Sequence, residues 1–130
     1  MSDFLKVYTA SKLDKAPLWL RLIEEWDEIE FVARWPRLHV GTTPDAPCYA
    51  KVFWQHDLED VSESDIVLVY SEPHDKLRGA LVEAGMALAL QKPVIVVGEH
   101  LDYGTWQFHP LVYKVPDLEE ARLLLKTFAM

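Results

Sequence analysis

A doubly wound α/β fold, with a five-stranded parallel sheet covered by helices on both faces, is predicted by three observations. Apolar runs of strand length alternate with segments of helical periodicity along the whole chain. The runs within Asp65–Tyr70 and Lys92–Gly98 are apolar almost throughout, as buried parallel strands are. Between them lie the polar loop "SEPHDKL" and the helix-length segment "RGALVEAGMALALQ", low in β-branched residues, so the stretch makes a complete βαβ unit.

Taken in order, Leu5 to Ala10 reads as the first strand, followed by a short polar turn at Ser11-Lys12. Asp14 is placed as an N-cap and Pro17 in the first turn of a helix from about Lys15 to Asp27. Trp19, Leu22, Ile23 and Trp26 recur at helical spacing, which reads as a core stripe before it reads as a stacking platform. Ile29 to Trp35 is the second strand, ended by Pro36, and "PRLHVGTTPDAP" is a turn-rich loop. Asp45 with Pro47 starts a helix that runs through "DLEDV" to near Ser62, with Tyr49, Val52, Phe53 and His56 as its inward stripe. After the central unit, "EHLDYGTWQFHP" is a second long loop, of a length that usually serves as a lid or binding loop. Leu111 to Val115 gives the fifth strand. Asp117 caps a final helix carrying Leu118, Ala121, Leu124, Leu125 and Phe128. Five strands alternating with four helices imply the flavodoxin-like strand order 2-1-3-4-5, whose switch point lies between strands one and three.

Composition bounds the function. At 130 residues, half of them apolar, residues 1–130 are expected to form one domain around one core. The net charge of -8 argues against binding a nucleic-acid polymer, which needs dense Lys and Arg, while a helix N-terminus can still hold a small anion. No apolar run is long enough for a membrane span and no signal-peptide pattern opens the chain, so the expected location is cytoplasmic. The single cysteine, Cys48, excludes an internal disulfide and a cysteine-built metal site. The five histidines are not spaced to share a helix face, so no metal is indicated. No G-x-G-x-x-G fingerprint is present, which argues against a dehydrogenase, and no cofactor is expected.

The crevice at the switch point should be flanked by the loops after Ala10 and after Tyr70. Ser11 and Lys12 would sit there at a helix N-terminus, positioned for a phosphate or sugar hydroxyl, or would form an ordinary solvated turn. Glu83 lies in the early turns of the following helix, near the carboxyl rim of the sheet where ligands bind in such folds. An acid there also complements the helix dipole, by roughly 0.3 to 1 kcal/mol. Its neighbours Ala80, Ala84, Gly85 and Ala87 leave the helix nearly bare. Gly85 costs about 1 kcal/mol relative to Ala, which points to close packing or close ligand approach.

The segment "RGALVEAGMALALQKPVIVVG" presents Gly79, Glu83, Gly85, Ala87 and the Lys92-Pro93 pair at set spacing; Tyr8 stands in "VYTA", Ala33-Arg34-Trp35 follows strand two, and Asp57 opens the acidic "DLEDVSESD". These features resemble the nucleoside 2-deoxyribosyltransferase family and its nucleotide N-glycosidase relatives, along nearly the whole chain. The resemblance implies cleavage or exchange of the N-glycosidic bond of a (deoxy)nucleoside or nucleoside monophosphate. Glu83 would be the nucleophile, Tyr8 would orient its carboxylate, and Asp57 would position the sugar or transfer a proton to the base. Asp75 is a second candidate for assisting leaving-group departure, Gly79 belongs to the motif, and Arg78 is a phosphate or carboxylate partner or a surface residue. A helix N-terminus would keep Glu83 ionised. The resemblance also implies a homodimer or higher assembly, and the five tryptophans fit an interface. Two positions depart from the family: Leu77 stands where an acid usually precedes the nucleophile by six residues, and the chain contains no Asn. Both favour hydrolysis over base exchange, unless Asp102, Gln107 or His109 replaces the Asn. A noncatalytic nucleotide-binding module on the same fold and an NAD-type glycohydrolase are the alternatives.

Overall fold

A computed structural model describes residues 4–38 and 47–129, the side chains of the second span from residue 50. Its elements are β1 (Leu5–Ala10), α1 (Ala16–Glu25), β2 (Ile29–Phe31), the single turn α2 (Trp35–Leu38), α3 (Pro47–Glu63), β3 (Ile66–Tyr70), α4 (Gly79–Ala89), β4 (Val94–Val97), β5 (Val112–Val115) and α5 (Leu118–Ala129). The five strands form one parallel sheet in the order β2-β1-β3-β4-β5, with helices flanking it, as the alternation of patterns predicts. The flavodoxin-like arrangement follows from chemistry: β3 and β4 are buried along nearly their whole length, so both faces must be covered. Val7 to Ala10 pair with Ile66 to Val69, and Val67 to Tyr70 pair with Val94 to Val97. Among the described residues no helix is long and apolar enough to cross a membrane.

Trp19, Leu22 and Trp26 are buried beneath α1, so the aromatic stripe is core. The helix begins later than the sequence suggests. Leu13–Lys15 is a 3-10 turn, and Asp14 does not cap but pairs with Lys12 and Lys15 at 3.6 and 3.5 Å. Asp117 does cap α5, accepting from the Glu120 amide at 2.9 Å. Lys92 donates to the carbonyls of Ser62 (2.9 Å) and Ser64, satisfying chain ends where α3 gives way to β3.

Three expectations about elements fail for identifiable reasons. The second strand stops at Phe31 rather than Trp35, because after Val32 bonds to the Val7 carbonyl (3.0 Å) the Arg34 amide turns to the Asp60 carboxylate (2.9 Å). Pro36 then opens a helical turn instead of merely ending a strand, since a first-turn proline sacrifices no hydrogen bond. The inward face of α3 is also displaced. Val52 is 45% exposed and Phe53 and His56 are half-buried, while Asp57, Asp60 and Val61 point inward. Buried acids break the apolar stripe that a sequence reading follows, and they are tolerated only because each has partners. The start of that helix at Asp45, with the side chains of Cys48 and Tyr49, lies outside the described residues. Gly85, finally, is exposed with nothing within 4 Å of an added Cβ, so packing among the described residues does not require it.

Candidate active site

The carboxyl ends of β1 and β3 diverge at the switch point, and a cleft of about 810 Å³ opens there. Ser11 and Lys12 enter it from the loop after β1, Trp35 from α2, Phe53, Trp54 and Asp57 from α3, and the 74–79 loop and Glu83 from the far side. Of the residues singled out in the sequence, Ser11, Lys12, Asp57, Arg78, Gly79 and Glu83 line it together.

Glu83 lies in the second turn of α4, and helical side chains lean toward the N-terminus, so its carboxylate reaches back over the end of β1. There the buried Tyr8 hydroxyl donates a hydrogen bond to Glu83 Oε2. Asp57 faces the same point from α3. Glu83 is 5% exposed and Asp57 8% exposed. Burial of this kind disfavours charge. It lifts the Glu83 pKa well above the ordinary carboxyl range, and the neighbouring Asp57 charge raises it further while the Tyr8 hydrogen bond opposes the rise. Asp57 is pushed up to about 6, by burial first, with Asp60 adding repulsion and the hydrogen bonds of Tyr8 and Glu83 drawing it down. Tyr8 is raised by burial and by the Glu83 and Asp57 charges, so it acts as a donor and not as a phenolate. A helix N-terminus favours an ionised Glu83, but burial outweighs it.

Asp60 lies one turn beyond Asp57 and accepts from the Arg34 side chain at 2.9 Å as well as from its amide, which ties the end of β2 to α3 and fixes the floor of the cleft. Trp35 donates to the Thr9 carbonyl at 2.7 Å, holding the indole against the β1 rim. In the sequence Arg34 stands out only through the resemblance and Trp35 also as the expected end of the second strand; their structural signal is the turn after a short strand.

Several expectations shift. Asp75 does not line the cleft: it is buried in the loop, accepting from the Glu72 amide (2.9 Å) and Lys15 (3.3 Å). The Ser11 hydroxyl is already occupied, donating to the Lys12 carbonyl (2.9 Å) and accepting from Trp19 Nε1 (2.8 Å). The long "EHLDYGTWQFHP" loop is no lid over this cleft. It folds into 3-10 turns across Leu101–Phe108, interrupted at Gly104 with φ +53°, and is pinned by the Tyr103 hydroxyl on the Val97 carbonyl at 2.6 Å. Within the protomer Asp102, Gln107 and His109 do not reach the cleft. The sequence reading missed Lys76, His74 and Trp54 as lining residues. Lys76 and Arg78 flank the buried Leu77, an alternation that points both outward from an anchored residue.

No protein-family model matches the chain, and no curated protein matches it. Solved structures share its fold, among them the following two. A conserved protein from Enterococcus faecalis V583 superposes with a TM-score of 0.75 at 16% identity, over 96% of this chain and 99% of that one. The CMP N-glycosidase BcmB of Clostridium botulinum gives a TM-score of 0.56 at 18% identity, again over 96% and 99%. At these identities the likeness is one of fold.

Proposed function

We propose that this chain is an enzyme that cleaves the N-glycosidic bond of a (deoxy)nucleoside or nucleoside monophosphate through a covalent glycosyl-Glu83 intermediate. One observation carries the reading: two buried carboxyl groups and a tyrosine hydroxyl converge at the bottom of a cleft at the switch point. The CMP N-glycosidase with the same fold supports the reaction class. In the first step a Glu83 oxygen bonds to the anomeric carbon as the carbon–nitrogen bond breaks, its electron pair leaving with the base. Asp57 and Glu83 are coupled and share a proton; in the reactive form it sits on Asp57, leaving Glu83 ionised for attack, and Asp57 passes it to the departing base. In the second step a water gives its proton to Asp57 and its oxygen attacks the anomeric carbon, releasing Glu83. Burial works in favour of this chemistry. A buried, poorly solvated carboxylate interacts most strongly when positive charge develops on the sugar beside it. Tyr8 donates to Glu83 Oε2 and so orients the carboxylate.

Incubation with deoxynucleosides, their monophosphates and NAD, followed by chromatography, tests the reading. Free base and free sugar or sugar phosphate are expected, and remain the main products with a thymine deoxynucleoside as donor and excess adenine as acceptor, because no Asn is available to grip an incoming base. Predominant deoxyadenosine would overturn the hydrolytic preference. Glu83→Gln should lower turnover by a factor on the order of 10³ or more while the fold persists; near wild-type rates in that variant would overturn the mechanism.

A further inference from the structure

Arg34, in the turn between β2 and α2, does not line the cleft, yet its hydrogen bonds converge on the turn of α3 that carries Asp57. Its amide donates to Asp60 Oδ2 at 2.9 Å, and its Nε donates to Asp60 Oδ1 and Oδ2 at 2.9 and 3.1 Å. Its Nη2 donates to the His56 carbonyl at 3.3 Å and to Glu59 Oε2 at 2.9 Å. One guanidinium thus grips residues 56, 59 and 60, and Asp57 lies within that span. Because a guanidinium presents its donors at fixed angles, the grip sets the rotation of α3 against the end of β2. The same end of β2 is registered on β1 by the Val32 amide, which donates to the Val7 carbonyl at 3.0 Å, and Tyr8 follows Val7. The chain of bonds therefore runs from Asp57 through Arg34 to the tyrosine that holds Glu83.

Charge is arranged by the same contacts. Asp57 and Asp60 are three residues apart on one helix face, and Asp60 is 3% exposed. With Glu83, three buried acids meet in a small volume, where like charges repel and compete for protons. Asp60 and Arg34 act on Asp57 in opposite directions, the carboxylate raising its pKa and the guanidinium lowering it. Tyr8 from β1 and Glu83 from α4 are the other groups that act on Asp57. Lys12, Asp14, His74, Lys76 and Arg78 complete the charged and titratable lining of the cleft.

We propose that Arg34 is a positioning residue: it aligns Asp57 with Glu83 and, by offsetting the Asp60 charge, confines the exchangeable proton of the site to the Asp57–Glu83 pair. The reaction it serves rests on the proposed function, whereas the placement of Asp57 and its charge environment do not. An unopposed Asp60 charge one helical turn away would hold the shared proton more tightly and slow its transfer to the departing base.

Carbon-13 NMR titration of the side-chain carboxyl groups, with the Asp57 signal identified by its loss in Asp57→Asn, reads the effect without turnover. Arg34→Met removes the guanidinium but keeps the amide bond to Asp60, and should raise the apparent midpoint of the Asp57–Glu83 pair by about half to one pH unit, the effect of one charge a helical turn away. Arg34→Lys keeps the charge and should restore the midpoint. Asp60→Asn removes the repulsion, leaves no buried charge unpaired, and should lower the midpoint by a similar amount; it decides the matter should circular dichroism show that Arg34→Met does not fold. An unchanged midpoint in Asp60→Asn, or in a folded Arg34→Met, overturns the proposal. Kinetics on a nucleoside monophosphate separates the two claims. Arg34→Met should lose about ten- to a hundred-fold in kcat with KM nearly unchanged, and its rate–pH profile should move up with the midpoint. A raised KM with unchanged kcat overturns the positioning role and leaves the glycosidase standing. Midpoints that move as expected, in a wild type that cleaves neither nucleosides nor their monophosphates, uphold the hold of Arg34 on Asp57 and remove the glycosidase.

Discussion

Replacing Asp57 by Asn tests the electrostatics of the cleft through stability alone, independently of any reaction. In the folded chain the Asp57 pKa rises from 3.8 to about 6, chiefly by burial. A carboxyl group whose folded pKa is raised holds its proton more tightly in the folded state, so stability falls as pH rises between the two values. Below pH 3.8 both states are protonated and no penalty exists; above pH 6 both are ionised and the penalty is complete. At 1.36 kcal/mol per pKa unit it amounts to at most roughly 3 kcal/mol. Asn cannot ionise, so Asp57→Asn should match the wild type near pH 3.5 and exceed it by up to about 3 kcal/mol at pH 7.5. With a urea dependence of about 2 kcal/mol/M for a domain of this size, the unfolding midpoint should move upward by up to about 1.5 M at the higher pH only. Urea titrations followed by the fluorescence of the buried tryptophans, at half-unit intervals of pH, measure this directly. A stability difference independent of pH, or a wild type that gains on the variant as pH rises, would refute the argument.

Other consequences are smaller and equally checkable. Glu28 is held down to about 2 by hydrogen bonds from Arg122, at 2.6 and 3.0 Å, so its contribution is complete above pH 4.5 and is lost as pH falls toward 2; with both side chains about a third exposed, Arg122→Ala should cost about 1 kcal/mol at pH 7 in denaturant unfolding and little at pH 2.5. Gly85→Ala should stabilise the chain by about 0.5 to 1 kcal/mol in thermal unfolding, since the site is helical and an added Cβ meets nothing; destabilisation would mean that a surface packs there that the protomer does not show. Val52 and Leu58 on α3 and Val82 and Leu90 at α4 are exposed apolar side chains, and we expect a homodimer or higher assembly; a monomer at micromolar concentration in sedimentation velocity would contradict this.

The sequence by itself determined a parallel sheet with helices on both faces, because apolar runs with no polar alternation demand cover on both faces and helical segments between them demand parallel crossovers; the order 2-1-3-4-5 was one choice among such sheets, and the structure has it. It determined the position of Glu83, since a residue in the second turn after a buried strand has one place to be. It could not determine which face of α3 turns inward. The two inward acids there are stabilised by groups distant in sequence, Asp60 by Arg34 across 26 residues and Asp57 by Tyr8 and Glu83, and a periodicity reading ranks such acids as solvent-facing. Nor could it tell Asp75 from its neighbours. One loop residue turns in to brace the chain against Lys15 while Lys76 and Arg78 turn out, and that choice is made by Asp102 and His100 from a segment about 25 residues further on. Protonation was also decided by the tertiary structure alone: a helix N-terminus read from sequence favours an ionised Glu83, but desolvation exists only once the sheet, α3 and α4 have closed around it.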